Sequence, residues 1–302
     1  MKNFTTIFSP AIVVLAVLCA CAQADGAAIT TIKVSDSREF LEALGSDRII
    51  EMAPGVYNLS QWDPILNNHP EQAPPYPGLG FLGEAKLASG VTWQEVFDGG
   101  ELTLNGVKNL TIRGWTARGG FDESEGIVVD PRYAFVLKFV NCSDIVIENL
   151  KAGHSEGGYC DGGVFGFADS SRIEINRTEM YGCGTVGLEL WDVSDMKVTD
   201  SWIYECTDAI MMVRGGKNIA FEECVFRHNL SSWIGVFGTE NMSFADCEIY
   251  GNSGYAMFGV NDTVISVSNS TFSGNATETP IQNSENVEFV NCVFEEGGAG
   301  AR

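Results

Sequence analysis

The 302-residue sequence predicts an all-β fold, a solenoid of coils of about 23 residues that stack as a parallel β-helix. The first observation is a repeat of short apolar strands. They begin at Ile173, Met196, Ile219, Met242, Ile265 and Val287, at intervals of 23, 23, 23, 23 and 22 residues. A unit of this length cannot hold a strand, a helix and a second strand, so each coil must consist of short strands joined by turns. Because the step is constant, successive strands are expected to lie parallel and in register, about 4.8 Å apart.

Two columns of similar residues support this register. Five residues after each strand start the sequence has Leu150, Thr178, Ser201, Cys224, Cys247, Ser270 and Cys292. Ten residues after it the sequence has Ser155, Cys183, Cys206, Asn229, Asn252 and Asn275. Stacked asparagines hydrogen-bond along a rod, so both columns are predicted to point inward. Cys224 and Cys247 would be neighbours, either as a disulfide or, as their parallel Cβ directions favour, as buried thiols.

Residues 1–24 are predicted to be an export signal that is not part of the fold. Lys2 precedes an apolar segment from Ile7 to Leu18, which is too short to span a bilayer. Ala22-Gln23-Ala24 fits cleavage for simple secretion, whereas Leu18-Cys19-Ala20-Cys21 fits a lipoprotein signal. We therefore expect a protein that is secreted, or lipid-anchored at the cell envelope through Cys21, with residues 25–302 as a single domain.

The part of the chain before the repeat is predicted to cap the solenoid. A strand at Thr30–Val34 leads to a short helix with Asp36 as its N-cap and Gly45 at its end. A second strand covers Ile49–Met52. Residues 60–100 depart from the repeat and carry five of the nine prolines, so we expect a loop insertion there. That insertion either packs as a functional flap or simply covers the first coils.

The formal net charge of −22 constrains the partners. A chain this acidic is repelled by nucleic acid and by anionic lipid surfaces, so no nucleic-acid partner is expected. An anionic substrate would need a bridging cation or a local basic patch. The sequence has no C-x-x-C pair, so a zinc or redox site is unsupported.

Between residues 100 and 295, the 23-residue coil, the asparagine column and the aliphatic inward positions resemble the right-handed parallel β-helix proteins of the pectate-lyase-like superfamily. The resemblance implies a right-handed coil with a short N-terminal capping helix. It also implies a range of functions, from polysaccharide lyases, glycoside hydrolases, epimerases and esterases to non-catalytic surface proteins. The Asp-Asp and Gly-His motifs of polygalacturonase-like hydrolases and the Asp-Pro-His-Asp motif of mannuronan epimerases are missing, so no catalytic residue is carried over from the family.

The outward columns carry residue types that carbohydrate sites use. Alternation along Gly187–Trp191 places Glu189 and Trp191 outside. The outward columns then read Trp191, Arg214, Phe237 and Val260; Glu189, Met212, Gly235 and Phe258; and, on another strand of each coil, Tyr181, Tyr204, Arg227 and Tyr250. Aromatic faces suit sugar rings, and a guanidinium suits a uronate carboxylate. The expected substrate-binding residues are Trp191, Phe237, Tyr181, Tyr204 and Arg227. The alternative is that these rings only cover the face of the coil.

The step between Ile145 and Ile173 is 28 residues, five more than the regular 23. The five extra residues lie in the glycine-rich segment 153–163, from which His154, Glu156, Tyr159 and Asp161 are expected to project. His154 is a candidate acid or base. Asp161, together with Glu189 and Asp192 of the next coil, is a candidate Ca²⁺ site. The alternative is a bulged turn whose glycines adopt positive φ.

Two functions follow as hypotheses. The first is an exported protein that binds or processes polysaccharide or a cell-surface glycan. As a Ca²⁺-dependent uronate lyase, it would use Arg214 or Lys217 to abstract the proton α to the carboxylate, with Glu189 and Asp192 holding the ion. The second is a non-catalytic cell-surface or secreted scaffold or adhesion protein. The strand edge near Phe294 is also predicted to pair with another copy of the chain.

Overall fold

In the computed structural model, which describes residues 28–68, 81–115, 126–155, 162–182 and 186–295, the chain winds into a right-handed parallel β-helix. A regular coil contributes one strand to each of three sheets, named sheets A, B and C in the order in which the chain meets them. The predicted all-β solenoid is therefore confirmed.

The described strands are as follows. Sheet A contains Thr30–Val34, Arg48–Met52, Lys108–Arg113, Ser143–Glu148, Ser171–Asn176, Ser194–Thr199, Lys217–Glu222, Glu240–Ala245, Ile265–Ser268 and Val287–Val290. Sheet B contains Val56–Asn58, Gly126–Val129, Lys151–His154, Glu179–Tyr181, Trp202–Tyr204, Val225–Arg227, Glu248–Tyr250, Thr271–Ser273 and Val293–Glu295. Sheet C contains Val91–Val96, Gly99–Asn105, Leu137–Val140, Gly163–Ala168, Val186–Trp191, Ala209–Arg214, Ile234–Phe237 and Phe258–Asn261. A small sheet pairs Ser253–Gly254 with Ala276–Thr277. The helices are α1 (Ser37–Ala43) and α2 (Pro64–Asn68), with 3-10 turns at Leu59–Trp62 and Ile281–Asn283.

The register of sheet A follows the sequence repeat. The strand starts from Ile173 to Val287 pair with one another in one unbroken column. The column continues toward the N-terminus through Ile145 and Leu110. With neighbouring strands about 4.8 Å apart, ten strands span about 43 Å along the rod.

The described interior contains stacked apolar columns and a ladder of asparagine side chains. The ring of Phe221 stacks on that of Phe244 with centroids 5.0 Å apart. In the polar ladder, Asn229 Nδ2 donates to Asn252 Oδ1 at 2.8 Å, and Asn252 Nδ2 donates to Asn275 Oδ1 at 3.0 Å. Asn229 and Asn252 are buried, so the predicted inward asparagine column is present.

The corners between sheets turn at single residues with positive φ. Where the chain enters sheet A these residues include Asn109, Asp144, Arg172, Asp195, Asn218 and Asn241. Asn and Asp tolerate this left-handed conformation better than other side chains. On the outside of this corner, Asn241 Nδ2 donates to Asn218 Oδ1 at 3.1 Å, and Asn218 Nδ2 donates to Asp195 Oδ1 at 2.7 Å. The turn residues that the sequence places before each strand therefore form an outer ladder.

The N-terminal cap agrees with the prediction. Asp36 is the N-cap of α1, and its Oδ1 accepts from the Glu39 backbone N–H at 2.8 Å. Phe40 and Leu41 on one face of the helix are fully buried against the first coils. Because α1 lies at the start of the solenoid, its buried face covers the apolar interior there.

The segment 60–100 contains more structure than the expected loop. Val91–Val96 pairs antiparallel with Gly99–Asn105 as a hairpin at the start of sheet C. Buried Asp63 ties this hairpin to α2, because its Oδ2 accepts from the Gly100 N–H at 2.6 Å and its Oδ1 from the Ile65 N–H at 2.8 Å. Burial raises the pKa of the Asp63 carboxyl. Residues 69–80 lie outside the described part of the chain.

The cysteines in the described ranges are free thiols. Cys206, Cys224 and Cys247 are buried, and no disulfide joins Cys224 to Cys247. Of the two alternatives for this pair, the favoured one, buried thiols, is confirmed, and the disulfide is not formed. Across residues 28–68, 81–115, 126–155, 162–182 and 186–295, no helix has the length and apolarity needed to cross a membrane.

Candidate functional site

The outer face of sheet C brings together an exposed ring, a guanidinium and further aromatic side chains. We call Glu189, Trp191, Met212, Arg214, Trp233 and Phe237 the sheet C surface. The guanidinium carbon of Arg214 lies 4.7 Å from the Trp191 ring centroid and 5.9 Å from that of Phe237. Its Nη1 lies 3.4 Å from Glu189 Oε1. Trp191 is 46% exposed, so its ring is available to a ligand.

The sequence period brings these side chains together. Trp191 pairs with Arg214 and Arg214 with Phe237 in the sheet C register, as predicted. One coil further along, the predicted register of sheet C is wrong by one residue. Phe237 pairs with Asn261 and not with Val260, and Gly235 pairs with Gly259 and not with Phe258. The cause is a step of 24 residues from Ile234 to its partner Phe258, where the sequence repeat suggested 23.

Glycines in sheet C make room for rings that lie against the outer backbone. A Cβ on Gly259 would lie 1.9 Å from the Trp233 ring, and a Cβ on Gly235 would lie 2.6 Å from Trp233 Nε1 and 2.7 Å from Met212 Sδ. The Trp233 ring therefore covers both glycines beside Phe237. Sequence reasoning missed Trp233 because it lies in a turn segment outside the strand columns; the two facing glycines were the available signal.

A second ion pair lies further along the same face. Lys138 pairs in register with Gly166, and its Nζ lies 2.9 Å from Glu101 Oε1. Glu101 is buried and also accepts from the Phe135 backbone N–H at 3.0 Å. The Phe135 ring lies over Gly163 and Gly166, where a Cβ would come within 2.5 and 3.3 Å of it. Sequence reasoning also missed this pair, because the hairpin that carries Glu101 was not predicted.

The expected calcium ligands do not form a site within the described residues. Glu189 pairs with Arg214, and Asp192 is the positive-φ residue of a sheet C to sheet A turn, like Asp169 before it and Gly215 after it. No group of three or more His, Cys, Asp or Glu side chains converges in the described ranges in a way that fits a metal ion. Asp161 lies outside those ranges, as do Glu156 and Tyr159.

Lys217 lies apart from Arg214. It is exposed at the start of a sheet A strand, whereas Arg214 ends the preceding strand of sheet C. Gly215 and Gly216, both with positive φ, form the turn between them. A Cβ on Gly215 would lie 2.0 Å from Asp192 Oδ1, so this turn packs tightly on the previous coil.

His154 does not project from a turn, so the expected placement is wrong. It ends a sheet B strand, is 3% exposed, and its Nε2 lies 2.9 Å from the Ala134 carbonyl oxygen. That contact requires Nε2 to carry the proton, and Nδ1 has no hydrogen-bond partner among the described residues. Burial lowers the pKa of His154 to about 4. A neutral, buried imidazole anchors the 130–136 segment and does not face a ligand on the sheet C surface.

Tyr181, Tyr204 and Arg227 lie on sheet B, apart from the Trp191 column. Tyr181 and Tyr204 stack with centroids 5.8 Å apart, and the Arg227 guanidinium lies 4.3 Å from the Tyr204 ring. The Tyr204 hydroxyl donates to the buried Glu179 carboxylate at 2.9 Å. Burial raises the pKa of Tyr204 well above its ordinary range and that of Tyr181 to about 12. Tyr204 is buried, so it does not offer the exposed ring that was expected.

A groove of about 540 Å³ lies on the outer face of sheet A. Its lining includes the ion pair of Arg172 Nε with Asp144 Oδ1 at 2.6 Å, and Lys197, whose Nζ lies 2.8 Å from Glu222 Oε2 outside the lining. Its described lining has no aromatic ring on which a sugar could stack. The sheet C surface is therefore the stronger candidate for a carbohydrate.

Comparison with solved structures finds similar folds. A pectate lyase from Paenibacillus sp. 0602 is 10% identical, with a TM-score of 0.56 over 91% of this chain and 79% of that chain. A mutant of the Bacillus subtilis pectate lyase is 8% identical, with a TM-score of 0.52 over 88% of this chain and 81% of that chain. A Geobacillus virus E2 protein is 11% identical, with a TM-score of 0.49 over 87% of this chain, which spans 60% of that protein. At these identities the likeness concerns the fold alone.

No curated protein matches the chain in sequence. The family model described as the right handed beta helix region matches residues 101–260 and 207–302, which together cover about two thirds of the chain. The parallel sheets, the three strands in a regular coil and the inner asparagine ladder are the structural counterparts of that match. The chain belongs to the right handed beta helix family.

Proposed function

We propose that the protein is an exported polysaccharide-binding protein whose sheet C surface holds the glycan. The observation that carries the proposal is the placement of Arg214 between the Trp191 and Phe237 rings, with Trp191 half exposed. Sugar rings stack on aromatic faces, and an arginine–carboxylate pair offers hydroxyl groups both donors and an acceptor. The likeness in fold to pectate lyases supports polysaccharide as the ligand class.

Affinity electrophoresis in gels that contain different soluble polysaccharides measures binding and tests this proposal. The Trp191→Ala variant should bind its polysaccharide at least about tenfold more weakly, which corresponds to about 1.4 kcal/mol, because the main exposed ring is lost. Tyr255→Ala is the control, since Tyr255 is an exposed ring (68%) outside the sheet C surface. Equal binding by both variants and the unchanged protein would place the glycan elsewhere.

A uronate lyase is the second candidate, favoured by the two pectate lyases whose fold this chain shares with a TM-score above 0.5. Such a reaction needs a base near the proton α to the carboxylate, and Arg214 and Lys217 are the proposed bases. Calcium would neutralise the carboxylate in such a reaction. Since the described residues do not fit a calcium site, no step is assigned to the ion, and calcium enters as a condition of the assay.

The lyase proposal is tested by incubating the protein with pectate, alginate and related uronate polymers, with Ca²⁺ or with a chelator. Ultraviolet absorbance would report the unsaturated product. Product that disappears in the Arg214→Lys variant would support a direct role of the Arg214 guanidinium in the reaction, because Lys keeps the charge and loses the guanidinium. Binding without product would support the binding function and not the lyase. If the protein shows neither binding nor product, the non-catalytic scaffold is favoured.

Export is proposed from residues 1–24, which lie outside the described structure. The two forms differ at Cys21, which is lost on simple secretion and carries a lipid in an anchored protein. Detergent phase partitioning of the protein from whole cells distinguishes them. A lipid-anchored protein should move to the aqueous phase when Cys21 is changed to Ser, whereas a secreted protein should be found in the medium with or without that change.

A further inference from the structure

The cations of the described sheet C face already have carboxylate partners. Arg214 lies 3.4 Å from Glu189, and Lys138 lies 2.9 Å from Glu101. Arg214 is also covered by the Trp191 ring on one side and approached by Phe237 on the other. A carboxylate on a ligand would have to displace Glu189 from Arg214, and would leave the Glu189 charge half-buried without its partner.

The border of this face adds negative charge. Where the chain leaves sheet C, exposed Asp169 and Asp192 occupy the positive-φ turn position on adjacent coils, and exposed Asp262 occupies it further along the rod. Adjacent coils are about 4.8 Å apart, so Asp169 and Asp192 lie well within one Debye length of each other at physiological salt. The whole chain carries a formal charge of −22. Exposed Lys217 follows the same turn position on the coil after Asp192, so the acidic excess of the whole chain adds to that of the border in disfavouring an anionic polymer.

The remaining features of the face suit an uncharged sugar. Trp191, Trp233 and Phe237 provide rings, and the Met212 sulfur and the Trp233 indole nitrogen both lie over Gly235. The Arg214–Glu189 pair presents N–H donors next to a carboxylate acceptor. A sugar hydroxyl can accept a hydrogen bond from the guanidinium and donate one to the carboxylate at the same time. A sugar hydroxyl can bind to such a pair without breaking it.

We propose that the sheet C surface takes a neutral polysaccharide and discriminates against polyuronates, through the pairing of Arg214 with Glu189. This inference rests on the proposed function and specifies the ligand class of the same site. It disagrees with the uronate substrate of the lyase candidate, so one set of measurements can separate them.

Calorimetric titration with defined hexasaccharides tests the inference. The probes are cellohexaose, xylohexaose and mannohexaose as neutral ligands, and hexagalacturonate and hexamannuronate as anionic ones. Titrations use about 0.15 M salt with either Ca²⁺ or a chelator, since charge effects depend on ionic strength. We expect at least one neutral hexasaccharide to bind at least tenfold more tightly than either uronate, with and without Ca²⁺.

A charge variant tests the mechanism. Glu189→Gln keeps the side-chain shape and frees Arg214, so the ratio of uronate affinity to neutral-sugar affinity should rise at least fivefold. Glu174→Gln is the matched control, because Glu174 is an exposed carboxylate on the outer side of sheet A and its removal changes the total charge equally. The control should leave the ratio within about twofold, since distant surface charges are screened.

The outcomes separate the two proposals. Uronate binding as tight as neutral binding in the unchanged protein, or the same ratio in both charge variants, would overturn the neutral-ligand inference while leaving glycan binding in place. If no hexasaccharide of either class binds, the proposed function fails and the inference fails with it.

Discussion

Arg214 shows how one residue acquires its surroundings from the sequence period. The 23-residue step places it between Trp191 of the preceding coil and Phe237 of the following coil, and alternation turns all three side chains outward. Each cation–π contact at a partly exposed site contributes about 0.5–1 kcal/mol. The rings and Glu189 therefore hold the guanidinium in one orientation, and an ordered side chain loses little further entropy when a ligand binds.

His154 predicts a specific pH dependence of stability. Its pKa is about 4 in the folded protein, against an ordinary value near 6.5. In the unfolded chain it takes up a proton as the pH falls below 6.5, whereas the buried imidazole stays neutral. The stability it contributes is fully present above pH 6.5 and is lost as the pH falls through 4, by about 3 kcal/mol.

The His154→Gln variant isolates the contribution of His154 titration to the free energy of unfolding, because a Gln amide can donate to the Ala134 carbonyl and does not titrate. Urea unfolding between pH 7 and pH 4 should show a smaller loss of stability in this variant than in the unchanged protein. Exposed His228, changed to Gln, is the control and should follow the unchanged protein. A His154→Gln profile as steep as that of the unchanged protein would show that other groups cause the acid sensitivity.

At the residue scale, the sequence predicts a side chain's column and direction better than its surroundings. Trp191, Arg214 and Phe237 were predicted from period and alternation, which are local properties of the chain. The burial of His154 depends on the carbonyl of Ala134, and the position of Trp233 depends on Gly259 of the next coil. Contacts of this kind form between segments with no shared pattern, so a single sequence gives no direct signal of them.

The inner asparagine ladder is the polar element that fixes the stacking of the last coils. Asn252 is fully buried, and its Oδ1 accepts from the Asn229 backbone N–H at 3.0 Å and from Asn229 Nδ2 at 2.8 Å. Its Nδ2 donates to the Phe226 carbonyl oxygen at 2.9 Å and to Asn275 Oδ1 at 3.0 Å. Since every hydrogen-bonding position is used, this amide specifies the register of three coils.

Asn252→Ala should lower the free energy of unfolding by about 3 kcal/mol, because it leaves hydrogen-bonding groups of Asn229 and Phe226 on one neighbouring coil and of Asn275 on the other without their partner. Urea titration measures the change. The control is Asn241→Gly in the outer ladder, where glycine retains the positive φ of 54° and the lost hydrogen bond is exposed to water. We expect the control to cost less than about 1 kcal/mol. Equal losses in the two variants would contradict a special role for the inner ladder.

At the element scale, the coils and the cap were predicted and the hairpin was not. Strands of the repeat carry a periodic signal, and α1 has an N-cap signal in Asp36 and Glu39. The hairpin of Val91–Val96 and Gly99–Asn105 follows a proline-rich segment, and its first strand falls within the loop that the sequence predicts for residues 60–100. Its pairing depends on buried Asp63, a tertiary contact that the sequence pattern does not reveal.

The whole molecule is a rod whose two ends differ. At the N-terminal end, helix α1 buries Phe40 and Leu41 against the first coils. At the other end, Val287–Val290 and Val293–Glu295 are the outermost described strands of sheets A and B, each paired on one side among the described residues. Phe289 and Phe294 belong to the inward columns of this coil, yet they are only partly buried.

Association of two copies through the last coil is the prediction at this scale. Because helix α1 covers the other end, stacking two C-terminal ends would give a closed two-fold dimer and not a filament. Such a dimer would have strands that pair at their open edges and would cover Val290 and Val293, each 50% exposed.

The acidic charge of the chain opposes this contact, so the dimer should become stronger as salt concentration rises. Sedimentation velocity over a range of protein and salt concentrations measures it. Val293→Lys should shift the equilibrium to monomer by placing a charge in the contact, whereas Val56→Lys, at a position 52% exposed near the N-terminal end, should leave it unchanged. A strict monomer at high protein and salt concentrations, or equal effects of the two variants, would contradict pairing through this edge.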